Sequence, residues 1–444
     1  MKPQSRRQFI TAVGGAAAGS VITSHLNART AAVDSRVLGS NEKVRIAVMG
    51  TNSRGNSLAG SFARLPDAEV VYVCDVDRRA VEKTQANVRQ YQNTTPKGTG
   101  DLRRVLDDPD VDALVIAAPD HWHAPASILA LKAGKHVYVE KPCSHNAWEG
   151  ELLVETARKS GLVVQMGNQR RSYPGTIEAI EVLRSGVIGP VHYARCFYKS
   201  GRKPIGKGRE VPVPEWLDFE LWQGPAPRRP YKDNLIHYNW HWFWHWGTGE
   251  SGNNGVHSMD LCRWGLGVDL PTRVTSMGGR YWYRNDDWET PDTQIITLEF
   301  EGHKAMMWEG LSCSTHSCPG PSFHGEGGTL LLAAGGYTIF DENNEVIKKV
   351  TEESGEKLDL TGPGFQKDSV HLVNFLQAIR GQAGLNSPID EGHKSTLLCH
   401  LGNIALRAGR TLHCDPATGH IIADRDAQKF WRREYQPGWW APTT

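Results

Sequence analysis

From Val44 onward, short apolar runs alternate with stretches whose apolar residues recur every three or four positions. Val44-Arg-Ile-Ala-Val-Met49 has the pattern of a strand buried on both faces, closed by Gly50. The turn Gly50–Gly55 leads into a helix through Leu65. Glu69–Cys74 is a second strand, ending at Asp75, and helical periodicity follows to Tyr91. Ala113–Ala118 is the next strand and Ile128–Ala133 the next helix. His136–Glu140, a helix over Ala147–Lys159 and Leu162–Met166 close the series. Strands alternating with helices predict an α/β fold, with a parallel sheet covered on both faces.

After Gly167 the pattern changes. A helix is expected over Thr176–Ser185, then strands at Val191–Tyr198, Pro271–Met277, Thr293–Phe300, Ala305–Gly310 and Thr329–Ala333. With so little helix between them, these strands predict a large, mainly antiparallel sheet in an α+β second domain. Val370–Arg380 and Thr396–Arg407 return to helical spacing. The expected division is 42–166 for the first domain, 167–415 for the second and 416–444 for a tail carrying Trp431, Tyr435, Trp439 and Trp440, placed to clasp the domain or a partner subunit.

Charge narrows the partners. Acids and bases nearly cancel, leaving a formal net charge of +1, so neither nucleic acid nor an anionic membrane is expected. The first 33 residues differ from the rest. Ser5-Arg6-Arg7-Gln8-Phe9-Ile10 followed by a small apolar run to Ile22 resembles a twin-arginine export signal, which implies a periplasmic or otherwise exported protein. No later segment approaches the ~20 apolar residues of a membrane helix. An exported chain with eight cysteines is permitted disulfides. Most of the eight sit in apolar patterns, and Cys313 with Cys318 is the pair expected if any bond forms.

The turn after the first strand carries candidate phosphate chemistry. In Gly50-Thr-Asn-Ser-Arg-Gly55 the positions of a G-x-G-x-x-G motif are filled by Gly50, Asn52 and Gly55. Backbone amides at the helix start bind pyrophosphate there, and Asn tolerates unusual backbone conformations better than most residues. Asp75, about twenty residues beyond Gly55, stands where a carboxylate accepts from the ribose hydroxyls of NAD and repels a 2′-phosphate. NAD is therefore preferred, with NADP left open by Arg78 and Arg79.

Two further motifs follow strands: Ala118-Pro-Asp-His-Trp-His123 and Glu140-Lys141-Pro142. With Gly255-Val-His257-Ser-Met-Asp260 and Phe323-His-Gly-Glu-Gly-Gly-Thr-Leu330 downstream, their order closely resembles the Gfo/Idh/MocA oxidoreductases, the glucose–fructose oxidoreductase and inositol dehydrogenase group, over Val44 to about Pro416. The resemblance implies an open second-domain sheet whose face covers the nicotinamide pocket, and a Lys-Pro bond that is often cis. It places Lys141 beside the nicotinamide and the reacting hydroxyl, and His257 as the proton-transferring group. Many members carry Asp four residues before that histidine; here it is Asn253, which cannot act as a base but can orient His257 or a sugar hydroxyl. That departure leaves His257, with Lys141 or Glu250, to move the proton. Arg54, Pro119, His123, Glu140 and Gln169 join Gly50, Asn52, Gly55, Asp75 and Lys141 as the expected cofactor set. Asp260 and Arg170 join Asn253 as the expected substrate set, Asp260 with fixing the local structure as its alternative role. A homo-oligomer is expected.

Trp216 to Trp246 is dense in aromatics, with Trp240, His241 and their neighbours in an extended or irregular segment. Aromatic faces stack on sugar C–H faces, so Trp240 and His241 are expected against substrate, the alternative being a tryptophan-rich core. His237, His241 and His245 recur every four residues, the spacing of a helical metal site. The irregular segment spoils it, and no metal is expected. The sequence thus points to an exported NAD(P)-dependent oxidoreductase acting on a sugar or polyol with tightly held cofactor. A glycosidase using NAD by transient oxidation, and a non-catalytic sugar-binding scaffold, are the alternatives.

Overall fold

A computed structural model of the chain describes residues 42–439 except 317, 334–335 and 352–364. The twin-arginine segment and Trp440 lie outside the described residues. The first half comprises β1 (Val44–Met49), α1 (Arg54–Ala63), β2 (Ala68–Cys74), α2 (Arg78–Val88), β3 (Lys97–Thr99), α3 (Leu102–Leu106), β4 (Ala113–Ile116), α4 (Asp120–Lys132), β5 (His136–Val139), α5 (Ala147–Ser160) and β6 (Val164–Met166). The six strands form one parallel sheet in the order β3-β2-β1-β4-β5-β6. Local chemistry sets the helix limits: Asp77 caps α2 by accepting from the Arg79 amide, Asn146 caps α5 by accepting from Glu149, and Gly161 ends α5 at φ +67°. The order reverses at β1, whose neighbours are β2 and β4, and a doubly wound sheet opens its binding crevice at that point.

The second half comprises α6 (Pro174–Arg184), β7 (Val191–Lys199), α7 (Phe219–Gln223), α8 (Val256–Leu266), β8 (Arg273–Gly279), β9 (Thr293–Phe300), β10 (Lys304–Leu311), β11 (Ser322–Gly325), β12 (Gly328–Ala333), β13 (Gly336–Phe340), β14 (Val346–Thr351), α9 (Phe365–Ile379), α10 (Ile389–Ala408), β15 (Leu412–His413) and α11 (Arg425–Gln428). Its nine-stranded sheet runs β14-β13-β12-β11-β7-β10-β9-β8-β15, antiparallel except where β7 lies parallel to β10. On β9, Ile296, Leu298 and Phe300 are buried while Thr297 and Glu299 are exposed, the alternation of a sheet with one covered face.

The fold class is therefore α/β with a mainly antiparallel second sheet. Some elements are larger than the sequence pattern indicated. α4 begins at Asp120 rather than Ile128: Pro125 lies in its second turn and cannot donate to the His121 carbonyl, which accepts instead from the Arg433 guanidinium at 2.8 Å. The short β3 and α3, and the hairpin strands β11, β13 and β14, lack a long apolar signature. α9 returns to the first half: Leu372, Phe375 and Leu376 are buried with Phe62 and Tyr138 against β1 and α1. All eight cysteines are free thiols, so Cys313 and Cys318 do not pair; Cys313 is buried instead. Among the described residues no helix is long and apolar enough to cross a membrane.

Candidate functional site

A cavity of about 650 Å³ opens at the carboxyl ends of β1, β2, β4 and β5 and extends beneath the second half. Gly50, at φ +80°, turns the chain out of β1 so closely to the loop after β4 that a Cβ there would lie 2.4 Å from the Ala118 nitrogen. Gly55 packs α1 onto the same turn, where a Cβ would lie 2.1 Å from the Gly50 oxygen. Asn52 lines the cavity but keeps ordinary negative φ, so the conformational demand falls on Gly50 and not on Asn52. Ser53 makes no side-chain cap bond and the first turn of α1 holds no acidic residue, which leaves its amide end suited to an anion.

Asp75 lines the cavity at the end of β2. Its carboxylate accepts from the Thr51 amide at 2.5 Å and the Asp77 amide at 2.9 Å, which fixes its direction. Burial pushes its pKa up, opposed by those two amide donors. A turn only glycine can make, a helix N-terminus without a cap and a carboxylate one strand away fit a dinucleotide.

The other end of the cavity is charged. Lys141 follows β5, its bond to Pro142 cis, and its ammonium donates to the Asn253 carbonyl at 2.7 Å and Oδ1 at 3.3 Å. Burial lowers its pKa, against the field of Glu140 and Asp120. Glu140 is buried and accepts from Arg54 Nε at 2.8 Å and Gln169 Nε2 at 3.2 Å. Burial alone would raise its pKa, but Arg54 and Lys141 hold it below the ordinary carboxyl range. Arg54 also grips Asp368 of α9 with two bonds, at 2.6 and 2.8 Å. It is thus a structural link as well as a cavity residue.

Asn253 lies in a π-helical turn, Ser251–Gly255, that runs straight into α8 and so sets His257 against Lys141 across the cavity. This turn needs small residues, since a Cβ on Gly255 would lie 2.8 Å from the Trp308 indole. Asn253 donates to Glu250, which Arg202 holds at 3.1 Å; its amide orients Lys141, and no bond from it to His257 is seen. His257 Nδ1 is buried without a hydrogen-bond partner. Burial pushes the His257 pKa well below the usual range, helped by the charges of Arg170 and Lys141, so the ring is a neutral imidazole.

The remaining expected residues divide. Pro119, His123, Gln169, Arg170, Trp240 and His241 line the cavity. His123 is locked between the Pro142 and Ala118 carbonyls, at 2.6 and 2.7 Å, and supports the walls more than it offers a free polar edge. Asp260 is a correction to the substrate set: it is 1% exposed, bound by Arg171 at 2.9 Å and Ser395 at 2.6 Å, and does not line the cavity. Its other role, fixing local structure, is the one its contacts serve. Most of the aromatic stretch is core: Trp222, Trp240, Phe243 and Trp246 bury together with Phe219 and Tyr231. Trp240 is mostly covered, stacking on His241 at 3.6 Å between centroids, and presents only part of its surface to the cavity. The three spaced histidines diverge, His237 to Asp77, His241 to the Tyr238 carbonyl and His245 to the Pro227 carbonyl. Sequence reasoning missed Tyr173, Tyr238 and Asn254, which also line the cavity. Only proximity to Arg170, His241 and Asn253 could have flagged them.

A family model described as an oxidoreductase family's NAD-binding Rossmann fold matches residues 44–168, and that family's C-terminal alpha/beta domain matches 183–277. A glycosyl hydrolase family 109 protein of Shewanella sp. (strain W3-18-1) is 28% identical over 212 residues, 44% of this chain and 45% of that protein. The chain thus matches less than half the length of this curated relative. Two solved structures share the fold. The WlbA dehydrogenase of Bordetella pertussis, in complex with NADH and UDP-GlcNAcA, has a TM-score of 0.64 at 19% identity, covering 84% of this chain and 99% of that one. A levoglucosan dehydrogenase in complex with NADH has a TM-score of 0.66 at 15% identity, covering 84% and 99%.

Proposed function

The chain belongs to the Gfo/Idh/MocA oxidoreductase family, and from that premise we propose that it is an NAD-dependent oxidoreductase acting on a secondary hydroxyl of a sugar or polyol. The observation that carries this reading is that the Gly50 turn, Asp75, Lys141 and His257 all line one cavity. Gly50, the start of α1 and Asp75 would hold the dinucleotide, with its nicotinamide toward Lys141. When bound, that ring supplies a two-electron acceptor for the hydrogen on the substrate carbon.

The chain's own residues handle the proton. A neutral His257 accepts it from the substrate hydroxyl, and the Lys141 ammonium, fixed by Asn253, stabilises the negative charge that builds on that oxygen. Arg170, Asn254 and Tyr238 supply polar edges around the hydroxyls, while Trp240 and His241 give a flat wall for a ring face. An exported enzyme meets no reliable pool of free nicotinamide, so the signal-like Ser5–Ile22 segment supports a cofactor carried out with the folded protein and regenerated in place.

A second reading is favoured by the glycosyl hydrolase family 109 relative. In a glycosidase, oxidation at one ring carbon acidifies the neighbouring C–H, elimination expels the aglycone, water adds, and the carbon is reduced again with no net change of cofactor. Purified protein incubated with aryl glycosides or free sugars, without added nucleotide, separates the two. Aglycone release with no accumulated NADH supports the glycosidase, and NADH formed in proportion to a free sugar supports the dehydrogenase. A chain that neither holds nor binds NAD refutes both and leaves a sugar-binding scaffold.

A further inference from the structure

Gly438 and Trp439 of the C-terminal tail line the nucleotide cavity. After α11 the tail crosses the N-terminal ends of α4 and α5, where a series of contacts fixes it. Arg433 donates to the buried Glu149 carboxylate at 2.7 Å and to the His121 carbonyl at 2.8 Å. Tyr435 donates to the same carboxylate at 2.8 Å, and the Arg432 guanidinium lies 3.9 Å from the Trp148 ring centre. Gln436 donates from its amide to the Pro225 carbonyl and accepts from the Arg228 amide. A turn at Gly438, φ +78°, then sets Trp439 edge-on to Trp122, with ring centroids 5.9 Å apart and the Arg228 guanidinium 5.2 Å from the Trp439 ring.

Gly438 and Trp439 line the cavity together with Leu102 and Leu106 of α3, Trp122 and Leu129. α3 follows β3 at the edge of the parallel sheet, past β2 and Asp75 and on the opposite side of β1 from the strand carrying Lys141. With the ribose carboxylate at Asp75, what extends toward that edge is the planar base of the dinucleotide, and its walls here are the aromatic and aliphatic faces of Trp122, Trp439, Leu102 and Leu106, beside the ion-paired Asp101 and Arg103.

We propose that Trp439 is a cofactor-binding residue, a wall of the adenine subsite supplied by the tail that follows α11. This rests on the NAD reading above and adds to it a second, independent group of binding residues far along the chain.

The test uses the full chain, stripped of nucleotide, with Trp439→Ala, Trp439→Phe and a version stopped after Pro437. Affinities for NAD and for nicotinamide mononucleotide, which lacks the adenosine half, are measured by calorimetry alongside the melting temperature of the nucleotide-free protein. Losing a base-stacking partner is expected to weaken NAD binding by about tenfold or more in the Ala and truncated chains. Trp439→Phe should keep most of the affinity, and mononucleotide binding should be unchanged throughout. Unaltered NAD affinity in the Ala and truncated chains overturns the proposal, as does an equal loss for NAD and the mononucleotide, or an equal loss in the Phe and Ala variants. A wild-type chain that binds no NAD overturns the cofactor reading itself, an outcome distinct from these three.

Discussion

The two ends of the cavity are built on different principles. Around Lys141 the walls are ionic and deeply buried: Arg54, Glu140, Asp368, Asn253, Glu250 and Arg202 form a connected set of charges and amides that holds one ammonium beside one neutral imidazole. Around Leu102 and Trp439 the walls are mainly rings and aliphatic chains, with one exposed ion pair, Arg103 on Asp101, among them. Buried charges fix direction sharply, since each unpaired group left by a mutation is costly, whereas an aromatic wall tolerates change and loses affinity in proportion to contact. Chemistry should therefore fail abruptly at the first end, and binding should weaken gradually at the second.

The sharpest challenge to this contrast is Lys141→Met. Turnover is expected to fall by about 10³-fold, far more than any loss in NAD affinity, as measured by steady-state kinetics and calorimetry on the same sample. A larger loss in affinity than in turnover would erase the distinction between the ends. Asp260→Ala removes one partner of the buried Arg171 pair and should cost about 3 kcal/mol of unfolding free energy in denaturant titration, with KM for the sugar little changed. A selective rise in KM would return Asp260 to the substrate set. His257→Ala should lower kcat by about 10²-fold, and the acid limb of the wild-type kcat/KM profile should lie below the ordinary histidine range, because burial holds the imidazole neutral. At the other end, Asp75→Ala should raise the NAD Kd about tenfold and leave kcat at saturating NAD nearly intact.

A separate effect concerns acid. His371 is fully buried between Ser172 and the Met166 carbonyl, beneath the turn that carries Gln169 and Arg170, and burial lowers its pKa to about 4. The unfolded chain takes up this proton below about pH 6.5 while the folded chain resists it. Stability is therefore full above that pH and falls as the pH drops toward 4, by up to about 1.4 kcal/mol per unit for this group. Thermal melts across that window should show the loss, to which His136, His245, His393 and His400, likewise lowered by burial, also contribute; His371→Gln should reduce the slope by one proton's share.

Much of the first half was legible because a parallel sheet buried on both faces writes continuous apolar runs such as Ala113–Ile116, and because Gly50 and Asp75 sit at fixed offsets from strand ends. The reach of α4 back to Asp120 was hidden by Pro125, which reads as a breaker; the His121 carbonyl it leaves free is taken by Arg433, a partner no local pattern shows. The aromatic segment was harder: alternating Trp and His residues signal a binding wall and a packed cluster equally, and only the contacts of Trp222 and Trp246 show that most of it is core. Asp260 misled because a carboxylate three residues from a candidate base looks the same in sequence whether it faces a sugar or an arginine. That the tail clasps the domain was expected from its aromatic residues, but the place of Trp439 in the cavity could not be read, since its neighbours in space, Trp122 and Arg228, lie hundreds of residues away along the chain.

The bond from Arg54 to Asp368, and the burial of Leu372, Phe375 and Leu376 against Phe62 and Tyr138, mean that the nucleotide half is not a portable cassette. An excised fragment ending near Met166 would bare an oily flank and strand a guanidinium that has lost half its counter-charge. Ribosomal synthesis thus delivers α9 some two hundred residues after the sheet it protects, and any fusion or truncation design has to keep that helix with the sheet.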